Sequence, residues 1–171
     1  VDNSTLKKYL DDIDPFFDCF LQYRRDWTNI ITYMQRVSPS EYGQVPSLVV
    51  HGNYTVKGER GGRICAKEDA LLTLEHIGFL RDLDIVSGEK VSFRFRDVNT
   101  RTWLRDVGSV LELYVYKACL DANIFNDIIS SAVVRWDEVL GHGSVINEID
   151  VMATRGVVPL FISCKVSDIK T

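Results

Sequence analysis

The C-terminal part of the chain constrains the fold most, because one long apolar helix pattern is followed by strand-like runs with short connections. Residues 102–122 have helical periodicity, and the expected buried stripe of this helix is Val107, Leu111, Tyr114 and Ala118. Three strand-like runs follow, with two glycine-containing turns between them: residues 132–139, 145–153 and 157–166, and turns at 141–144 and 154–156. This order predicts an α/β architecture of the α+β class.

Acidic and basic side chains share faces of these strands. Because strand side chains repeat every two residues, Glu148 and Asp150 lie on one face of their strand, and Ser163 and Lys165 on one face of the next. Glu112 lies on the helix among small and apolar neighbours, where a carboxylate needs a partner. Carboxylates hold Mg²⁺ or Mn²⁺, and a nearby lysine positions or activates a metal-bound water. The pattern predicts a phosphodiesterase site, and the polar face of an ordinary hairpin is the alternative.

The register of this hairpin decides whether the two strands present their side chains to one cleft. Around a turn at residues 154–156, the straight register leaves Asp150 short of Ser163. We therefore expect strand twist or a bulge near Pro159 to bring Asp150 and Lys165 together.

Three segments of this part carry a resemblance to a known family. The helix contains VGSVLELYVY, the second strand NEIDVMATRG and the third strand FISCK. The sequence from Asp106 to the C-terminus resembles the nuclease domain of CARF-linked PD-(D/E)xK endonucleases, which are CRISPR-accessory effectors in antiviral defence. The resemblance implies a restriction-endonuclease-like core, in which a helix precedes a three-stranded mixed sheet.

The resemblance also implies the roles of individual residues. Glu112, Asp150 and the strand that ends in Lys165 would form the metal site, with the main-chain carbonyl of Cys164 as a further ligand of Mg²⁺ or Mn²⁺. One position departs from the motif, because Ser163 stands where the second acid is usually Glu or Asp. A hydroxyl is a poorer metal ligand than a carboxylate. Either the two remaining carboxylates suffice with waters, or the glutamate of the second strand assists, or the site is weakened.

The N-terminal residues have a helical pattern. Apolar residues recur at helical spacing through residues 5–37, and Pro15 is expected to divide this run into two helices. Residues 1–45 are therefore predicted to be a helical connector.

The middle of the chain is predicted to form a small separate module. A short apolar strand at residues 46–51 precedes a glycine-rich loop at 52–62 and an amphipathic helix at 67–79. The helix and the strand after it resemble the helix-plus-wing of a winged-helix module over residues 46–100. Residues 101–171 then form the nuclease-like domain.

The strand of this module has one apolar and one mostly basic face. The alternating residues are Val91, Phe93 and Phe95 on one side, and Lys90, Ser92, Arg94 and Arg96 on the other. Arg94 and Arg96 are candidates for contact with a nucleic-acid backbone, and Arg155, in the C-terminal hairpin turn, is a further candidate. An ordinary solvated strand face explains the same cations.

Composition limits the classes of function. The 20 basic and 24 acidic residues give a formal net charge of −4, so any nucleic-acid surface must be a local patch. The four cysteines occur singly, which does not favour a disulfide framework or a zinc site. No apolar run approaches the roughly 20 residues that span a bilayer, and a cytoplasmic location is predicted.

The sequence therefore predicts a divalent-metal-dependent endonuclease, a hydrolase acting on DNA, RNA or both. The resemblance implies that a cyclic oligoadenylate bound to a separate CARF domain switches it, and that it is a homodimer. Because the chain opens on Val1 and stops at Thr171, it is expected to be truncated at both ends. The alternative is a catalytically weakened nuclease-like domain whose winged helix serves nucleic-acid binding or assembly.

Overall fold

The structure is a computed structural model that describes residues 9–39, 45–58, 61–135 and 146–165. Helices and antiparallel sheets make up these residues, which confirms the predicted α+β class. The chain divides into two compact units, one formed by Asp11–Val107 and the other by the described residues from Gly108 onward together with residues 9–10. In the described part of the chain, no helix is long and apolar enough to cross a membrane.

Several predicted features lie outside the described residues. They are the start of the first helix at residues 5–8, the strand end at 136–139, the turn at 141–144, residue 145, and the last strand residue at 166.

The first unit begins with helices α1 (Leu10–Gln22) and α2 (Trp27–Val37). Pro15 lies inside α1, so the expectation that it divides the helices is wrong. The buried stripe that includes Ile13 and Phe16 continues past Pro15, whose own side chain is exposed. Burial of this stripe offsets the roughly 3 kcal/mol that an interior proline costs a helix. The break between the helices falls instead at residues 23–26.

Edge-to-face aromatic contacts hold this helical pair against the rest of the unit. Phe16 lies between the rings of Trp27 and Phe79, with centroid distances of 5.9 Å and 4.9 Å. Phe79 also contacts Trp103 at 6.2 Å. Such contacts contribute about 0.5–1.5 kcal/mol each beyond area burial, so this cluster forms the core of the unit.

The unit contains five strands, two further helices and two antiparallel sheets among its described residues. In chain order the elements are β1 (Val49–Asn53), β2 (Thr55–Lys57), β3 (Arg63–Cys65), α3 (Glu68–His76), β4 (Leu80–Val86), β5 (Lys90–Phe95) and α4 (Val98–Trp103). The larger sheet has the order β1-β5-β4, and β2 pairs with β3. Part of the loop predicted at residues 52–62 is therefore strand, because its β-branched residues pair across the glycine-rich turn. The winged-helix assignment stays a prediction.

The alternation predicted for β5 is confirmed. Val91, Phe93 and Phe95 are buried, and Lys90 and Arg94 are exposed. Because β5 is the central strand of its sheet and one of its faces is buried, its alternation determines which face of the sheet is exposed to solvent.

The end of α2 packs closely on β1. Tyr33 Oη donates a hydrogen bond to the main-chain oxygen of Asn53 at 2.9 Å. A Cβ atom added at Gly52 would lie 2.7 Å from Val37 Cγ1 and 2.8 Å from Val37 Cβ. Gly52 therefore permits an approach of helix to strand that no other residue allows without displacement.

We expect Gly52→Ala to lower the free energy of unfolding by about 1–3 kcal/mol, because the new methyl group overlaps Val37. Gly62→Ala is the control, since a Cβ atom there meets nothing within 4 Å. Chemical denaturation monitored by circular dichroism measures both variants. Equal stability of the two would contradict the packing of α2 on β1.

The second unit consists of helix α5 (Val107–Ala122) and strands β6 (Asp127–Arg135), β7 (Ile146–Arg155) and β8 (Val158–Ile162). The strand order is β6-β7-β8, and both pairings are antiparallel. The mixed sheet expected from the resemblance is therefore wrong for the described residues. The connection from β7 to β8 is too short for a parallel crossover.

Helix α5 buries a different face from the one predicted. Its buried residues are Val110, Leu113, Tyr116 and Cys119. Tyr114 and Ala118 of the predicted stripe are exposed, Tyr114 by 57%. The helix carries apolar residues on both faces, so periodicity alone does not select the buried one.

Candidate functional site

The hairpin of β7 and β8 fixes the register of the candidate site. Arg155 pairs with Val158, so only Gly156 and Val157 connect the strands. Gly156 has φ +60°, as the first central residue of a type II′ turn requires. The three-residue connection expected from the sequence is therefore wrong, because this glycine supports a tighter turn.

This register places Asp150 opposite Ser163 without a bulge. Val151 pairs with Ile162, and one further step in the same register brings Asp150 opposite Ser163. The expected bulge near Pro159 does not occur, since Thr154 pairs with Pro159 in regular register.

The Asp150 carboxylate interacts with three consecutive residues of the segment after β8. Its Oδ2 atom accepts hydrogen bonds from the Cys164 backbone N–H at 2.5 Å and from Ser163 Oγ at 3.2 Å. Lys165 Nζ lies 4.0 Å from the same oxygen. The Asp150 side chain is 15% exposed and that of Lys165 is 80% exposed. The predicted convergence of Asp150 and Lys165 is thereby confirmed.

Glu112 contributes to the same environment from α5. Burial raises the pKa of the Cys164 thiol, the Asp150 and Glu112 carboxylates raise it further, and the Lys165 ammonium lowers it. One thiol therefore experiences the charges of all three predicted catalytic residues. A helix carboxylate, a strand carboxylate and an ammonium lie within electrostatic reach of one point.

Ser163 and Cys164 have a role that sequence reasoning did not find. The Ser163 hydroxyl and the Cys164 N–H both donate to Asp150, so they orient its carboxylate. Residue spacing gives no signal of this role, because it depends on a turn length that differs from the expected one.

The other acidic and basic candidates in this unit are exposed. Glu148 lies opposite Val133 and has no hydrogen bond or ion pair to a described residue. Arg155 is the last residue of β7, beside the turn rather than within it. Their assignments stay predictions.

Arg94 and Arg96 of the first unit differ from each other. Arg94 has a side chain that is 55% exposed and forms an ion pair with Asp82 at 3.6 Å. Arg96 is only 16% exposed, and its guanidinium pairs with Asp12 at 2.9 Å and with Asp97 at 3.5 Å. It also lies 5.2 Å from the Phe79 ring centroid. The expectation that Arg96 is exposed is wrong, because this side chain turns towards α1 to neutralise two carboxylates.

The donor set limits the kind of metal that the second unit fits. Among the described residues, no group of three or more His, Cys, Asp or Glu is placed to hold a metal ion. The predicted set is smaller, with two carboxylates, from Asp150 and Glu112, and the Cys164 carbonyl. Asp150 Oδ1 accepts no hydrogen bond from the described residues. Since Mg²⁺ often binds through one or two carboxylates and keeps several waters, these residues fit a weakly held hard cation.

Comparisons with known proteins give little further information. No protein-family model and no curated protein matches this chain. Among solved structures, the chain is similar to Can2 from Sulfobacillus thermosulfidooxidans in complex with cyclic tetra-adenylate, with a TM-score of 0.49 and 15% sequence identity. The similarity covers 92% of this chain and 36% of that chain, so this chain spans about a third of the length of Can2. A similarity at this level establishes neither a family nor a function.

Alkylation of Cys164 by iodoacetamide tests the electrostatic arrangement. We expect Asp150→Asn to lower the thiol pKa and to speed alkylation at fixed pH by about two- to fivefold, since the thiolate is the reactive form. Lys165→Ala should raise the pKa and slow the reaction. Both variants are made in a Cys65→Ser background, because Cys65 is exposed. Rate changes in the same direction would show that these charges do not face the thiol.

Proposed function

We propose that this chain contains the catalytic residues of a divalent-metal-dependent endonuclease of the PD-(D/E)xK type, acting on DNA, RNA or both. The observation that carries the proposal is the position of the Asp150 carboxylate. It is oriented by Ser163 Oγ and the Cys164 N–H, and lies 4.0 Å from the Lys165 ammonium. A carboxylate that is 15% exposed and lies beside an ammonium supports a functional site more than an ordinary polar hairpin face.

The side chains of the proposed site have two kinds of role: some would hold a cation, and others would position a water or a phosphate. Asp150 and Glu112, with the Cys164 carbonyl, would hold Mg²⁺ or Mn²⁺. A bound divalent cation supplies charge neutralisation at the phosphate and a water of lowered pKa. Lys165, whose side chain is 80% exposed, is free to turn its ammonium towards a phosphate oxygen or an attacking water. Ser163 Oγ donates to Oδ2 of Asp150, while Oδ1 accepts no hydrogen bond from a described residue.

We further infer that a cyclic oligoadenylate controls this activity in CRISPR-linked defence. The support is the resemblance of residues 106–171 to CARF-linked nucleases, in which a separate domain binds the nucleotide. A homodimer that pairs through those sensor domains belongs to the same proposal.

A second function is favoured by one observation. Ser163 replaces the usual second acid, and no cluster of three metal-ligating side chains occurs among the described residues. A nuclease-like domain with a weakened site would bind nucleic acid without cutting it. Metal-dependent cleavage separates the two functions.

We expect the protein, mixed with plasmid DNA and single-stranded RNA, to cleave at least one of them when Mn²⁺ and a cyclic oligoadenylate are present. Asp150→Asn should slow cleavage by about 100-fold or more, because loss of groups that only orient a metal ligand already costs about 10- to 100-fold. Asparagine keeps an acceptor for the Cys164 N–H, whereas alanine would leave that donor unpaired.

Asp121→Asn is the matched control for this experiment. It removes one carboxylate from the same unit, at an exposed residue whose ion pair among the described residues is with Lys117. Its cleavage rate should stay within about twofold of the parent, since a helical ion pair at this spacing contributes about 0.3–0.5 kcal/mol. Undiminished cleavage by Asp150→Asn would place the active site elsewhere, and binding without cleavage by the parent would favour the second function.

A further inference from the structure

A groove of about 590 Å³ lies on the solvent face of the three-stranded sheet in the first unit. The end of α2, strand β1 and the ends of β4 and β5 line it. Its polar lining residues are Arg36, His51, Asn53, Asp84, Lys90 and Ser92. Neither the family resemblance nor the site at Asp150 assigns this groove a function.

The strand register explains why these polar side chains meet. His51 and Asp84 both pair with Ser92, one from each side of β5. Asn53 and Val86 pair with Lys90 in the same way. Directly opposite residues share a face of the sheet, so two rows of side chains form the groove floor.

Arg36 lines this groove from the last turn of α2. The same turn packs against β1 through Val37 and Gly52, on the buried face of the sheet, because Gly52 pairs with the buried Val91. Arg36 is in that turn, and its side chain is exposed. A cation from the helix and a cation from the sheet, Arg36 and Lys90, therefore line the same groove.

The charges in this groove are not balanced within the described part of the chain. Arg36 and Lys90 form no ion pair with a described residue, and Asp84 is the one acidic residue among the described lining residues. These described residues therefore have a formal charge of +1 from two cations and one anion, in a chain whose formal net charge is −4. A local excess of cations in an acidic protein suits a polyanionic partner.

We propose that this groove binds the sugar-phosphate backbone of a nucleic acid, with Arg36 and Lys90 each contacting a phosphate. Asn53 and Ser92 supply neutral donors between these cations. Among the described residues the lining contains no Phe, Tyr or Trp, so these residues offer no aromatic ring on which bases stack, and backbone contact is favoured over base recognition. Asp84 repels phosphate and confines it to the Lys90 end of the floor. The binding does not depend on the metal site.

Fluorescence anisotropy with a labelled 20-base-pair DNA duplex tests the proposal. EDTA is present throughout and every protein carries Asp150→Asn, so a failed nuclease assignment leaves the result readable. We expect Arg36→Ala/Lys90→Ala to reduce the slope of log affinity against log salt concentration by about 1.8, since each phosphate contact releases about 0.9 cation. The matched control is Arg24→Ala/Arg25→Ala, which removes two exposed cations outside the groove and should leave the slope unchanged.

Asp84→Asn should change the affinity for the duplex in the opposite direction. Duplex binding should tighten by about two- to fivefold, as expected when one exposed repulsive charge is removed. Thermal melting of each variant checks that the first unit stays folded.

Three results would overturn the proposal. One is an unchanged salt slope for Arg36→Ala/Lys90→Ala, and another is an equal loss of slope in the control. The third concerns the same Arg36→Ala/Lys90→Ala variant. If it binds the duplex as the parent does but no longer binds cyclic tetra-adenylate in calorimetry, the groove is assigned to a small nucleotide instead.

Discussion

The candidate site depends on one hydrogen bond, from the Cys164 backbone N–H to the Asp150 carboxylate. Strand β8 ends at Ile162, so the ladder no longer holds the residues that follow. Beyond that point the Asp150 side chain holds the segment, because its Oδ2 atom lies 2.5 Å from the Cys164 backbone nitrogen. A hydrogen bond to a charged acceptor contributes about 1.5–3 kcal/mol. The longer hydrogen bond from Ser163 Oγ, at 3.2 Å, supports the same arrangement, in which Lys165 lies beside the carboxylate.

Asp150 therefore has a structural role and a proposed catalytic role at once. Oδ2 holds the segment after β8, while Oδ1 accepts no hydrogen bond from the described residues. The two oxygens divide the roles, so that binding a cation at Oδ1 does not require the segment to move. The Ser163 hydroxyl donates to Asp150 where a second carboxylate would repel it. In the proposed metal site, this serine leaves one fewer anionic ligand.

Period-two patterns predicted the local features well. The apolar face of β5 follows from side-chain alternation, and the expected approach of Lys165 to Asp150 is found at 4.0 Å although Lys165 lies beyond the end of β8. Features that depend on turn length or on distant partners were not predictable. The choice between a two- and a three-residue turn at Gly156 set the register, and Asp12 lies 84 residues from the Arg96 that it neutralises. Arg36 and Lys90 likewise line one groove because of the position of α2 and the strand order.

We propose that a divalent cation binds at Asp150. Paramagnetic broadening of amide resonances by Mn²⁺ tests this binding directly and does not require nuclease activity. At substoichiometric Mn²⁺, we expect the amide resonances of Asp150, Cys164 and Glu112 to broaden before those of β5 in the first unit. The broadening should disappear in Asp150→Asn while the spectrum stays dispersed. If the Cys164 amide keeps its linewidth while resonances elsewhere broaden, the metal does not bind at Asp150 and the proposed nuclease site is wrong.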